Sequence, residues 1–447
     1  MLTCYLLPLT YHADPAHYFQ QVHHAAGAVL LDSSQPISQR GRFDLLSAWP
    51  LASISPHPQE PLTAFRQRCQ ALLQQLSTCQ APEALELPFT GGLIGYLTYE
   101  LNSLSQATEL EGLASATVGL YDWALINDHQ EKSCWLMCHP SMSVTRQQAL
   151  LALLQSGHSR CSAEPFRLTH AFKPWISAQR YQNDLEQVQN YIAAGDCYQI
   201  NYTQRFSSHY QGDPWQAYVS LRQECPTPFA SFIRVNDQQA IISLSPERFI
   251  QVRQRQVESR PIKGTRARGA TAAEDQALAA ELLASSKDRA ENLMIVDLLR
   301  NDLGRYCGTG SIAVPELFAL ESYPNVHHMV SSVTGTLAAE YDALDVLIGS
   351  FPGGSITGAP KRRAMQIISE LEACVRSIYC GSIFYLDSRG EMDSSITIRT
   401  LLANQGEISC WGGGGIVYDS NIQDEYQESI QKVRLLMSTL EQQYLAD

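Results

Sequence analysis

Strand-like and helix-like segments are interspersed along this chain without the regular strand–helix–strand repeat that builds a parallel sheet. We therefore read an α+β protein with large antiparallel sheets. Residues 28–31 and 117–125 read as strands and residues 62–76 as a helix. The segment Gly91-Gly92-Leu93-Ile94-Gly95-Tyr96 reads as a strand whose glycines allow close backbone approach. Residues 180–194 look helical and end at Gly195, a suitable C-cap. Residues 240–252 alternate like a strand interrupted by Pro246, and residues 279–300 read as one long helix stopping near Asn301-Asp302-Leu303-Gly304. The closing helix has the clearest pattern. Tyr426, Ile430, Val433, Met437, Leu440 and Tyr444 recur at steps of four and three, and Asn421 can cap its start.

The 447 residues are 45% hydrophobic, enough to bury a sizeable core. Length suggests two or three domains, and a polar, Pro-containing break at residues 156–174 divides 1–165 from 166–447. A net charge of -13 argues against nucleic acid or anionic membrane as the main partner, so an anionic substrate needs local cations in its site. Twelve cysteines without a C-x-x-C pair indicate reduced, buried thiols in a cytoplasmic protein. The first residues lack a basic region, so no signal peptide is expected, and no apolar run reaches the roughly 20 residues needed to span a bilayer.

Several local patterns carry chemistry, each with a plainer alternative. Glu425 and Glu428 share one face of the closing helix, away from its apolar stripe. They are either a solvated first turn complementing the helix dipole or, with Glu291, a site for a hard cation such as Mg2+. Lys263, between Ile262 and Gly264, is an exposed loop lysine or a nucleophile whose charge is suppressed by burial or a nearby cation. Glu247 is a salt-bridge partner or, with a raised pKa, a general acid. Arg399 is a structural ion pair or a bidentate clamp for a carboxylate. The run Gly412-Gly413-Gly414-Gly415 is a bulge or an edge of amides facing an anion. The segment 353–361 is a poor phosphate loop, because Ala359 stands where a P-loop needs lysine. Together these describe a site for a small polyanion.

The segments 245–249, 261–265, 287–302, 353–361, 379–385, 393–399, 412–415 and 425–432, in that order, resemble the chorismate-utilising family. The likeness covers roughly residues 177–440, and the pieces 88–101 and 118–128 resemble the family's N-terminal region. The resemblance implies two antiparallel sheets packed face to face with helices outside, both halves of the chain contributing to one compact unit. Members that add water at ring C2 carry a lysine base where this chain has Gln199, and anthranilate-forming members carry alanine where it has Lys263. The implied activity is therefore amination of chorismate at C4, toward 4-aminobenzoate and folate. Lys263 would be the covalent nucleophile and Glu247 the general acid. Glu291, Glu425 and Glu428 would hold Mg2+. His328, Ser355, Tyr379, Arg399, Gly413, Gly415 and Lys432 would contact chorismate.

The family pairs such a chain with a separate glutaminase subunit that supplies ammonia, forming a heterodimer. Here Gly195-Asp196-Cys197-Tyr198-Gln199 lacks the second glycine of a G-x-C-x-G nucleophile elbow. The segment around Asp32 and Ser33, with Arg42, Phe43 and Asp44, resembles the pocket that holds tryptophan in some members. A packed core without a ligand is the alternative. The rival activities are anthranilate formation and an inactive amino-acid-binding regulatory protein on the same scaffold.

Overall fold

In the computed structural model, which describes residues 2–34, 41–82, 85–102, 112–156, 164–323 and 326–445, the strands form two large sheets. Among the described residues every ladder is antiparallel except the short pairing of Leu2–Thr3 with Cys79–Gln80. The first sheet has thirteen strands and the second ten. Their facing sides share one core. Val29, Leu45, Ile126, Ile241 and Leu402 of the first sheet belong to the same cluster as Leu93, Ile94, Ile250, Val252 and Phe384 of the second. The next residue along each first-sheet strand, Leu30, Leu46, Leu125, Ile242 or Leu401, points to the opposite face. There it packs with Tyr218 and Leu221 of the helix Pro214–Glu224 and with Val433, Leu436 and Leu440 of the closing helix Ile422–Tyr444. The helices Leu62–Leu73 and Ser286–Gly304 lie against the second sheet.

Residues before and after position 165 interleave in both sheets. Val29–Asp32 pairs with Phe229–Asn236 in the first, and Gly92–Leu97 pairs with Ser382–Asp387 in the second. The close approach expected of the glycine-marked strand occurs at Gly95, where a Cβ would lie 2.3 Å from the Thr117 carbonyl oxygen.

Two expectations need correction. The stretch 279–300 is not one helix but the ends of two, Ala272–Ala284 and Ser286–Gly304. Ser285 breaks the run with an extended backbone and caps the second helix by accepting the Asp288 N–H. The strand read at 117–125 is two strands in different sheets, Ala116–Tyr121 and Trp123–Asp128. The break at Pro246 is likewise a change of sheet: Gln239–Ser245 belongs to the first and Arg248–Arg253 to the second. Among its other crossings is the one between Met392–Ile396 and Thr400–Asn404. That crossing and the one at Pro246 lie side by side, because their flanking strands pair in each sheet. No described helix is long and apolar enough to cross a membrane.

Candidate active site

The paired crossings place Glu247 and Arg399 where the sheets part. Pro246 has no N–H and ends the first-sheet ladder. The Ser245 hydroxyl then receives the Glu247 N–H at 3.2 Å, and the Glu247 carbonyl accepts from Ile396 N at 3.0 Å. The Glu247 side chain is buried, with Oε1 accepting from the Ser355 hydroxyl at 2.8 Å. Burial pushes its carboxyl up to about 7, against the opposing pull of Lys263, Ser355 and Lys432. A carboxyl poised there can donate a proton near neutral pH. Arg399 sits at φ 50 and has no carboxylate partner among the described residues, so it is not a structural ion pair there. Burial and the Arg399 charge together hold the His328 imidazole down at about 4, leaving it neutral.

Lys263 lies on the edge strand Ile262–Ala267, not in a free loop. Its register against Val326–Thr336 slips between Ile262 and Thr265, a bulge that re-aims the lysine. Gly264 takes φ 88 there, and a Cβ would come within 2.9 Å of Leu282 and 3.0 Å of Asp288. The half-buried Lys263 Nζ donates to the Ser355 carbonyl at 3.3 Å. Desolvation and the Lys432 ammonium lower its pKa, while Glu291, Glu247 and Glu428 oppose them. Ser355 thus touches both reactive groups, Lys263 through its carbonyl and Glu247 through its hydroxyl. Next to them, Thr265 Oγ1 lies 2.8 Å from His328 Nδ1.

The carboxylates come from two helices. Asn421 caps the closing helix as expected, accepting the Asp424 N–H. Glu425, however, is not on a solvated face. It is buried in line with Ser429, Val433, Leu436 and Leu440. The glycine run allows this: a Cβ on Gly414 would meet Glu425 Oε2 at 3.0 Å, Glu428 Oε1 at 3.4 Å and Lys432 Nζ at 3.6 Å. Glu425 Oε1 accepts from Ser420 at 2.7 Å, whereas its buried Oε2 has no partner among the described residues. Burial raises the pKa of Glu425 and of Glu291. Glu428, by contrast, stays on the exposed side of the helix with 48% of its side chain accessible. Partial desolvation acts to raise its pKa, but the Lys432 ion pair at 2.6 Å outweighs it and holds the group low. Lys432 also donates to the Gly413 carbonyl at 2.8 Å. Among the described residues no three His, Cys, Asp or Glu side chains form a ready-made metal cage. Glu425 Oε2, over its glycine floor and without a partner among the described residues, is an oxygen donor of the kind a hard cation takes.

The strand Glu407–Ile416 keeps its partner Gln199–Gln211 to the end but loses Thr400–Asn404 after Cys410. Among the described residues, one edge of Trp411–Ile416 therefore has no strand beside it, which suits amide recognition of a carboxylate. Gly413 must be glycine because a Cβ would meet the Tyr202 carbonyl oxygen at 2.2 Å, whereas at Gly415 a Cβ would meet only the Gln199 side-chain end at 2.1 Å, which can move aside. Tyr379 is buried and stacks on Trp411, ring centroids 6.2 Å apart. Sequence reasoning passed over the buried Glu372–Arg376 pair, whose i,i+4 spacing is a local signal that does not tell a buried pair from a surface one. Lys361 is structural, its ammonium bound to Asp302 at 2.6 Å and to the Ser350 carbonyl at 3.0 Å.

A cavity of about 1480 Å³ is lined by Ser33, Arg42, Phe43, Arg248, Arg253 and Tyr385 among others, but by none of Glu247, Lys263 or Ser355. Arg42 pairs with Asp128 at 2.8 Å and with Glu86 at 2.7 Å. Asp44 does not line the cavity. Its carboxylate turns to Ser33 N at 2.9 Å, Ser33 Oγ at 2.8 Å and His129 at 2.6 Å, and so braces Ser33 from behind.

Residues 28–438 match the family of chorismate binding enzymes, and the chain belongs to that family. The chain is 44% identical to aminodeoxychorismate synthase component 1 of Klebsiella aerogenes, over 99% of this chain and 100% of the relative. To the protein of the same name from Escherichia coli (strain K12) it is 43% identical, over 98% of each. Among solved structures, anthranilate synthase component I from Streptococcus pneumoniae TIGR4 superimposes with a TM-score of 0.76 at 32% identity. That match covers 90% of this chain and 93% of the other.

Proposed function

We propose that this chain is the chorismate-aminating component of an aminodeoxychorismate synthase. It converts chorismate and ammonia to 4-amino-4-deoxychorismate, on the route to 4-aminobenzoate and folate. The observation that carries the reading is the Ser355 bridge, which puts an amine of lowered pKa and a carboxyl at about 7 on one residue. Lys263 Nζ bonds to ring C2, the ring double bonds shift and the C4–O bond breaks. Glu247 supplies the proton with which that oxygen leaves as water. Ammonia then bonds to C4, the double bonds shift back, and the C2–N bond breaks to return the lysine. The proton shed by ammonia restores Glu247. Two moderate barriers replace one high one. Arg399, Tyr379 and the open edge at Gly413 and Gly415 orient the enolpyruvyl carboxylate. His328, Ser355 and Lys432 make the other substrate contacts.

Glu291, Glu425 and Glu428 would hold Mg2+ against the ring carboxylate. When bound, the ion supplies Lewis-acid withdrawal of electron density from the ring. Ammonia comes from a separate glutaminase subunit, making the working enzyme a cytoplasmic heterodimer. In support, Cys197 is no glutaminase nucleophile: it is buried, and desolvation pushes its thiol up to about 11. The described cysteines other than Cys374 are buried and form no disulfide with one another, which suits a reducing compartment. The cavity at Ser33, Arg42 and Phe43 supports a second ligand, an amino acid such as tryptophan, over a filled core.

The purified chain given chorismate, Mg2+ and ammonium should consume chorismate. Adding the lyase that acts on aminodeoxychorismate should then release 4-aminobenzoate. Fluorescent anthranilate formed without a lyase would identify the rival activity. No consumption of chorismate would leave the inactive regulatory protein.

A further inference from the structure

Arg376 is 1% exposed and does no chemistry in the scheme above. Its guanidinium nonetheless gathers the backbone of the site from three distant parts of the chain. Nη1 donates to the Ile356 carbonyl at 2.7 Å and Nη2 to the Asn201 carbonyl at 2.5 Å. Nε and Nη2 form a fork onto Glu372 at 2.9 and 2.7 Å. Glu372 Oε1 also takes the Thr203 N–H at 3.0 Å and hydroxyl at 2.9 Å. The plane of the guanidinium lies over the Tyr99 ring at 4.5 Å.

Each anchor is adjacent to a group that the reaction uses. Ile356 follows Ser355. Asn201 and Thr203 stand opposite Gly415 and Gly413 in the ladder. The carbonyl of Arg376 itself accepts the Tyr379 N–H at 2.9 Å, and Glu100 takes the Arg376 N–H at 2.8 Å from below. A buried guanidinium needs acceptors for donors beyond those its carboxylate takes, and what distinguishes Arg376 is where those acceptors lie. This fork spends its remaining donors on the two carbonyls that fix the Ser355 loop relative to the glycine strand. We propose that Arg376 is a positioning residue for the amination, holding Ser355 in register with the Gly413–Gly415 edge so that Lys263 and Glu247 meet the same substrate ring. The inference rests on the functional reading above.

Arg376→Lys keeps a charge for Glu372 but cannot span Ile356 and Asn201 with a planar fork. Misplacement by about 1 Å costs on the order of 100-fold in rate, so kcat should fall by that order while the KM for chorismate changes less. Because Ser355 drifts from Glu247, the break in the pH profile near 7 should also move upward. The charges facing Glu247, those of Lys263 and Lys432, are untouched by the substitution, and the nearby Cys380 thiol, pushed up to about 12 by burial, stays neutral. A purely structural arginine would lower the melting temperature yet leave the folded variant with wild-type kcat and pH profile, and that result overturns the proposal. Should Arg376→Lys not fold, Glu372→Gln loosens the same fork at constant volume. It should lower kcat at least 10-fold with the same displacement, and normal kcat there overturns the proposal equally. A wild-type chain that leaves chorismate untouched would instead refute the functional reading.

Discussion

Replacing Ser355 by alanine removes one hydroxyl and leaves the carbonyl that receives Lys263. The lost hydroxyl donates to Glu247 Oε1 at 2.8 Å, in a buried setting that water does not screen. It stabilises the ionised carboxylate and not the neutral acid, so its loss favours the proton. A hydrogen bond to a charged group is worth about 1.5–3 kcal/mol, and about 1.4 kcal/mol corresponds to one pH unit. Glu247, now at about 7, should therefore rise by roughly 1 to 2 pH units. The active form needs Glu247 protonated and Lys263 neutral, so kcat/KM against pH is the product of two fractions and has two breaks. The lysine sets one, and the break near 7 belongs to Glu247. If the amine titrates below Glu247, that break is the alkaline limb. If it titrates above, the break is the acid limb and the plateau rises as well. In both cases the break moves upward. Initial rates of chorismate consumption with saturating ammonium and Mg2+, measured across pH for both proteins, test this. A break that stays in place or moves down would refute the role given to the Ser355–Glu247 contact.

Gly413→Ala forces a Cβ to within 2.2 Å of a backbone carbonyl that cannot yield without breaking the ladder to Tyr202 and Thr203. It should cost about 1–3 kcal/mol, read as a lower urea midpoint, and should weaken chorismate binding at the open strand edge. Tryptophan titrated calorimetrically should bind one site per chain, and Phe43→Ala should weaken it without changing chorismate turnover under tryptophan-free conditions. Silent titrations would mean that the cavity has another occupant.

The period-two and period-3.6 patterns were enough to read the sheets, the capping Asn421 and the closing helix. Those patterns report burial, and burial continues through a corner. The largely apolar, buried run therefore continues from Ala116 to Ile126, although the chain changes sheet at Asp122. Pro246 marked its own crossing, because a missing N–H is visible in sequence. Ser285 carried a readable cap signal, Ser-x-x-Asp, inside a helical pattern that overrode it. The ordered motifs indicated Lys263, Glu247, Glu291 and Lys432 as one site, and their charges do act on one another. Whether Glu425 faced water depended on what lay against it. Only the glycine strand, distant in the pairing pattern, decides that. The resemblance placed Asp44 with Arg42 and Phe43 in a tryptophan pocket; strand alternation turns its side chain away from the cavity, toward Ser33 and His129. Arg376 showed only its i,i+4 spacing to Glu372, which suits any surface ion pair, and its other partners, Asn201 and Ile356, are remote in sequence.

The most direct measurement is mass spectrometry of the enzyme quenched during turnover with chorismate and Mg2+ in the absence of ammonia. The expected result is a chorismate-derived adduct confined to the peptide bearing Lys263 and absent from Lys263→Ala. An adduct on another residue, or full amination by Lys263→Ala, would contradict covalent catalysis by this lysine.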